Sequence, residues 1–117
     1  MLEDQRFQLG VRLFNQGEFF ACHEIWEELW HELRGRDHDC LQGLIQVAVA
    51  YHHLQRCNLR GARYLSTRAA LRLARCGPVF ASIQVSRLCE RLAGDIAVAG
   101  RRGHVSRFAP RLPHTTT

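Results

Sequence analysis

Apolar residues between positions 18 and 34 recur at the spacing of an α-helix. These residues form a stripe with intervals of mostly three or four positions: Cys22, Ile25, Trp26, Leu29 and Leu33. This spacing places the side chains along one face of a helix, where they can be buried together. Four further segments show helical periodicity, and none reads convincingly as a strand. The sequence therefore predicts an all-α protein.

Turn-forming residues divide the periodic segments into five predicted helices, at about 3–15, 18–34, 40–56, 58–76 and 81–98. Residues 35–39 are predicted to form a loop, with Asp37 or Asp39 as the following N-cap. In the fourth helix, Leu65, Leu71 and Leu73 are predicted to face inward. The third helix is apolar almost all round, which is typical of a helix packed on several sides.

These features predict one compact array or bundle of about five helices around a central third helix. A chain of 117 residues is long enough to bury one hydrophobic core. We expect residues 1–100 to form this single domain. Residues 101–117 lack helical periodicity and carry four arginines and two prolines, so we expect a basic, loosely ordered tail.

Charge is distributed unevenly along the chain, whose formal net charge is +5. Residues 1–39 hold nine acidic residues and four arginines, whereas the remainder holds two acidic residues and twelve arginines. An arginine-rich half could bind nucleic acid through phosphates, but the arginines between positions 56 and 75 have mixed helical spacing, which is typical of a solvated surface. No nucleic-acid-binding motif is present, so a nucleic-acid partner is disfavoured. The segregated charge suits pairing within one chain and pairing within a homo-oligomer equally well.

The five cysteines, at positions 22, 40, 57, 76 and 89, form no CxxC pair and no common zinc pattern. Their odd number, without a secretory signal, predicts free thiols in a reducing cytoplasm. No apolar run approaches the length of a membrane span. We therefore expect a soluble cytoplasmic protein.

The second predicted helix carries a polar pair beside its apolar face. His23 and Glu27 are four residues apart, so they project from the same side, and Trp30 follows three residues later. Such a pair can supply two ligands to a divalent metal, or pair a general base with an orienting carboxylate. It can equally form a structural hydrogen bond. Glu24 and Glu28 form a second pair that points further outward.

The third predicted helix carries a matching polar stripe of Gln42, Gln46 and His53 on an otherwise apolar surface. If this helix is central, these buried polar groups need hydrogen-bonding partners. The nearest candidates are His23, Glu24 and Glu27 on the preceding helix. The two helices are therefore predicted to share a polar seam.

Three groups of residues together resemble a small prokaryotic family catalogued as domain of unknown function 309. The first group runs from Phe14 to Trp30 and includes Phe19-Phe20, His23-Glu24 and Trp26-Glu27. The second runs from Gln42-Gly43-Leu44-Ile45-Gln46 to His53, and the third is Asn58-x-x-Gly61-Ala62. The resemblance covers about residues 7–75, in order and at matching spacing.

The resemblance implies an all-helical fold and a shared set of polar positions rather than a known activity. Carried over position by position, those positions are His23, Glu24, Glu27, Gln42, Gln46, His53 and Asn58. The chain departs from the family at Ala21, where many members have glutamate. If that carboxylate belonged to a metal site, this chain lacks one ligand.

The sequence leaves three alternative functions open, and it does not decide whether the chain is an enzyme. In the favoured one, the polar seam is a structural network or a surface that binds a partner or ligand. In the second, His23, Glu27 and His53 bind a divalent metal or support hydrolysis, with Glu24 in support. In the third, the arginine-rich second half binds nucleic acid weakly.

Overall fold

In the computed structural model, which describes residues 1–102 and 112–113, the chain forms five α-helices. They are α1 (Gln5–Asn15), α2 (Phe19–Trp30), α3 (Gly35–Gln55), α4 (Leu59–Leu73) and α5 (Val85–Arg102), and a short 3-10 turn (Ala74–Cys76) follows α4. Within the described ranges there is no strand, and the pairing of Phe80 with Ile83 is an isolated bridge. The predicted all-α fold is confirmed.

Helix α3 lies at the centre of the array and packs against α2, α4 and α5. Seven of its side chains are completely shielded from water: Leu41, Leu44, Val47, Ala48, Ala50, Tyr51 and Leu54. The hydroxyl of Tyr51 donates a hydrogen bond of 2.6 Å to a carboxylate oxygen of Asp95 on α5. Burial and this carboxylate raise the pKa of Tyr51 well above its ordinary value, so the hydroxyl stays protonated as a donor. The predicted central third helix is confirmed.

Helices α1 and α2 pack together through an aromatic cluster. Phe14 lies 4.9 Å from Phe19 and 5.7 Å from Tyr51, measured between ring centroids. Trp26 stacks against Phe7, and its indole Nε1–H donates to the Phe7 carbonyl oxygen at 3.1 Å. The cluster seats α2 firmly on the core, because each of these rings is almost completely buried. It thereby fixes which face of α2 remains available beside α3.

The predicted loop at residues 35–39 and the predicted cap at Asp37 or Asp39 are wrong. Helix α2 ends at Trp30, and α3 begins at Gly35, whose φ of +66° suits glycine. The N-cap is Arg34, without a side-chain capping bond, and Asp37 lies inside the first turn. A negative charge is favourable there because helix N-termini carry partial positive charge. Aspartates that resemble loop residues in the sequence therefore belong to the helix.

The second half of the chain differs from the prediction in three places. Leu71 was expected to face inward but is 69% exposed, and the small residues Ala62 and Ala69 line the buried face of α4 instead. Helix α5 begins at Val85 rather than near residue 81, because Ala81 and Ser82 adopt positive φ angles in the preceding turn. It continues past residue 98 to Arg102.

The predicted tail lies largely outside the described residues, which include only 101–102 and 112–113 of it. Leu112 is buried, and its backbone N–H donates to the side-chain oxygen of Asn15 at 2.7 Å. The carbonyl oxygen of Pro113 accepts from the Gln84 backbone N–H at 2.8 Å. These two residues are therefore held against the ends of α1 and the turn before α5.

A disulfide joins Cys40 on α3 to Cys76 in the 3-10 turn, so the expectation of free thiols is wrong for this pair. The two residues are 36 positions apart, and only the antiparallel packing of α3 and α4 brings them together. Cys22, Cys57 and Cys89 are free. Burial raises the pKa of the Cys22 thiol far above its usual value, so Cys22 behaves as a small core residue. No described helix is both long and apolar enough to cross a bilayer.

Candidate ligand-binding groove

A groove of about 190 Å³ lies between α2 and α3 and is closed on one side by α4. Its polar lining comes from His23 and Glu27 on α2 and from Gln42 and Gln46 on α3. Its apolar lining comprises Trp30, Ile45, Val49 and Leu65. The periodicity of each helix explains the grouping, because residues three or four apart project from the same side. The groove thus combines an apolar floor with four hydrogen-bonding side chains.

The polar pair on α2, His23 and Glu27, is in direct contact. His23 Nε2 lies 2.7 Å from a carboxylate oxygen of Glu27, one helical turn later. In the neutral tautomer that donates through Nε2 to this carboxylate, Nδ1 is a hydrogen-bond acceptor. That Nδ1 atom is shielded from water and has no hydrogen-bond partner among the described residues.

Two further groove residues each have a buried polar atom that lacks a hydrogen-bond partner. The indole Nε1 of Trp30, a donor, and the amide Oε1 of Gln46, an acceptor, are buried without a hydrogen-bond partner in the described structure. Leaving a buried polar atom unpaired costs about 1–3 kcal/mol. Only four side-chain atoms of the described residues are in this state, and three of them belong to this groove. Unpaired buried groups are rare in native proteins, so their concentration in one groove calls for an explanation.

Aromatic rings extend the groove at both ends of α2. The Trp30 ring stacks on His38 with centroids 4.3 Å apart and an angle of 25°. At the other end, the half-exposed Phe20 lies 5.2 Å from the His23 ring and 5.0 Å from the His52 ring. Burial and the nearby charges of Arg56, His53 and His23 lower the pKa of His52. The groove is therefore flanked by aromatic and imidazole surfaces.

Four of the seven polar positions expected from the sequence meet in the groove: His23, Glu27, Gln42 and Gln46. The other three lie elsewhere. Glu24 is exposed on α2, while His53 Nδ1 contacts the Asn58 side-chain nitrogen at 3.1 Å beyond the end of α3. Asn58 serves as the N-cap of α4, where its side-chain oxygen accepts from the Gly61 backbone N–H at 3.0 Å. His53 and Asn58 therefore stabilise the turn between α3 and α4.

Leu65 is the groove residue that the sequence did not associate with the polar seam. It was expected to face the core, and it is half-buried at the edge where α4 meets α3. Its position on the α3-facing side of α4 was visible in the helical spacing, but the sequence does not show that α4 borders the α2–α3 seam.

No group of three or more His, Cys, Asp or Glu side chains is arranged to hold a metal ion within residues 1–102 and 112–113. Of the three metal ligands suggested by the sequence, only His23 and Glu27 lie side by side. His53 does not line the groove.

The described residues form a small all-helical domain with an amphipathic groove between α2 and α3. The family described as "Domain of unknown function (DUF309)" matches residues 7–65, which is just over half of the chain. The chain belongs to this family, which confirms the resemblance recognised from the sequence.

A similar protein is the "Uncharacterized protein" of Aquifex aeolicus (strain VF5), which is 30% identical over 76 residues. The match covers 64% of this chain and 23% of the relative, so the chain spans about a quarter of the relative's length. No solved structure matches the chain. The segment that matches the family, residues 7–65, includes α2 and all eight residues that line the groove.

Proposed function

We propose that this domain is a binding module whose α2–α3 groove receives a small apolar group carrying an amide. The observation that supports this function most strongly is the concentration of unpaired buried polar atoms in the groove. The remaining lining, provided by Trp30, Ile45, Val49 and Leu65, suits an apolar body next to that polar group.

The hydrogen-bonding character of the three atoms indicates the chemistry of the ligand. In the neutral tautomer described above, His23 Nδ1 accepts a hydrogen bond, as Gln46 Oε1 does, and Trp30 Nε1 donates one. A complementary ligand therefore supplies two N–H donors and one acceptor. A primary carboxamide has this set, since its nitrogen carries two hydrogens and its oxygen accepts. The side-chain amide of an asparagine or glutamine in a partner offers the same chemistry.

The size of the groove limits what can enter. A volume of about 190 Å³ is below the range of about 300–1,000 Å³ that is usual for small-molecule sites. It accommodates a group the size of one amino-acid side chain. Because the three unpaired atoms are shielded from water, a side chain at the rim must rotate before the ligand reaches them. Rotamer changes of this kind are common when partners bind.

Titration of the protein with isovaleramide, followed through the indole N–H signals in a ¹H–¹⁵N NMR spectrum, tests this function. The chain has two tryptophans, which serve as probe and internal reference. We expect the Trp30 signal to shift saturably at millimolar ligand, because its unpaired N–H gains an acceptor. The Trp26 signal should stay in place, because that N–H already donates to the Phe7 carbonyl.

Methyl isovalerate is the matched control ligand, because it keeps the apolar body and loses both N–H donors. We expect it to cause little shift of the Trp30 signal. Equal shifts from the ester and the amide, or movement of both indole signals together, would rule out an amide-selective groove. Elemental analysis of the same sample addresses the alternative function, since stoichiometric zinc, manganese or iron would favour a metal site instead.

A further inference from the structure

A second cleft, of about 180 Å³, lies on the surface of α4 and the 3-10 turn that follows it. Its lining consists of Arg68, Leu71, Arg72 and Arg75. These residues occupy positions i, i+3, i+4 and i+7, so their side chains share one face of the chain. Three arginine side chains therefore line one small cavity, next to a leucine that is 69% exposed.

No carboxylate neutralises these three arginines within the described part of the chain. The four carboxylate contacts of this kind found there involve Arg6, His23 and His38. The chain beyond residue 39 contains two acidic residues, Glu90 and Asp95, and Asp95 accepts the Tyr51 hydroxyl. Three positive charges on one face, without a carboxylate beside them, create a local potential that attracts anions.

Arg72 carries the strongest sign that such an anion is a ligand. Its side chain is half-buried, and its Nε atom is shielded from water without a hydrogen-bond partner among the described residues. Arg68 differs, because its guanidinium packs over the Tyr64 ring at 5.5 Å from the centroid. An anion seated in the cleft would offset the positive charge, and after rotation of the Arg72 side chain it would give the Nε–H an acceptor.

We propose that this cleft binds the phosphate group of a small phosphorylated molecule. A phosphate monoester carries about −1.5 to −2 charges at neutral pH and three acceptor oxygens, which suits three guanidinium groups better than a single carboxylate does. The planar fork of arginine donors matches phosphate geometry. The exposed Leu71 offers an apolar surface to the organic part of the molecule.

The phosphate cleft is separate from the amide groove but lies on the same side of α4. Leu65, which lines the groove, and Arg72 are seven residues apart, or about two helical turns. The two sites share no lining residue. Binding of phosphate to the cleft therefore does not depend on whether the groove accepts an amide, and each site is tested by its own ligand.

Calorimetric titration at low salt, in a buffer free of phosphate and sulfate, tests the cleft. Inorganic phosphate and phenyl phosphate are the two probes, and we expect each to bind saturably with one site per chain. Phenyl phosphate should bind more tightly, since its ring can contact Leu71. Replacing Arg72 or Arg75 with glutamine should weaken both ligands by about tenfold or more, because each substitution removes charged hydrogen bonds.

Arg60→Gln is the matched control, because it removes the same charge from an exposed position of α4 outside the cleft. It should change affinity by less than about twofold. Arg75 is exposed, so its variant keeps the test valid if Arg72→Gln impairs folding. Equal weakening in all three variants would show a diffuse electrostatic field and overturn the site. Failure of both phosphates to bind, or binding of single-stranded oligothymidylate alone, would overturn it as well.

Discussion

Replacement of Gly10 with alanine is expected to destabilise the domain by about 3 kcal/mol or to prevent folding. Gly10 lies in the middle of α1, directly against the indole of Trp26 on α2. A Cβ atom at Gly10 would stand 2.0 Å from Trp26 Nε1 and 2.3 Å from Cδ1. The fully buried indole has to move away, which also breaks its hydrogen bond to the Phe7 carbonyl.

The same substitution at Gly94 provides the control. Gly94 lies in α5, is exposed, and a Cβ there would meet no atom within 4 Å. Alanine favours a helix interior over glycine by about 1 kcal/mol, so Gly94→Ala should stabilise the protein. Chemical denaturation of both variants measures the difference. Similar free energies of unfolding for the two variants would contradict the close packing of α1 on Trp26.

Truncation of Phe14 to alanine is expected to cost about 3–5 kcal/mol, the range typical of large aromatic residues in a core. Phe14 is completely buried and contacts rings from both neighbouring helices: Phe19 and Trp26 on α2, and Tyr51 on α3. Its removal leaves a cavity where α1, α2 and α3 meet. The loss should appear as a lower denaturation midpoint.

Phe20→Ala is the matched control for this prediction. Phe20 lies on α2 next to Phe19 but is 50% exposed, so less apolar surface is lost from the core. We expect its free energy of unfolding to fall by less than about 1 kcal/mol. If both phenylalanine variants lost equal stability, Phe14 would not be the junction of the three helices.

The core faces of the helices were largely predictable from the sequence, because burial follows helical periodicity closely. Cys22, Trp26 and Leu29 are buried as their spacing indicates, and α3 is surrounded as its apolar composition indicates. Leu71 was not predictable in this way. Small residues allow α4 to approach α3, and the buried stripe follows Ala62 and Ala69 rather than the leucine at position 71.

The sequence predicted that the polar faces of α2 and α3 meet at the candidate site. It did not predict which side chains come together there. His53 shares a helix face with Gln46, yet seven residues separate them, which is about 10 Å along the axis. At that level His53 meets Asn58 and the α3–α4 turn instead of the groove. Glu24 follows His23 directly, so the helix rotates it toward solvent. Distance along an axis and contact with a third helix depend on packing, which a local pattern does not contain.

The disulfide likewise depends on helix packing that a local sequence pattern does not contain. Cys40 and Cys76 have no diagnostic spacing in the sequence, and their pairing depends on the antiparallel arrangement of α3 and α4. The phosphate cleft also depends on the fold. Its arginines have helical spacing in the sequence, but only the structure shows that Arg72 is half-buried with an unpaired nitrogen.

The free energy of unfolding of Gln46→Leu tests the central claim, that the groove keeps buried polar atoms unpaired for a ligand. Gln42→Leu is the control, since Gln42 lines the same groove one turn earlier and has no buried unpaired atom. We expect Gln46→Leu to raise the free energy of unfolding of the ligand-free protein by about 1 kcal/mol. We also expect it to abolish the isovaleramide-induced shift of the Trp30 indole N–H signal. Gln42→Leu should leave stability nearly unchanged. Loss of stability in Gln46→Leu with an intact ligand response would contradict the account, because Gln46 would then be a structural residue.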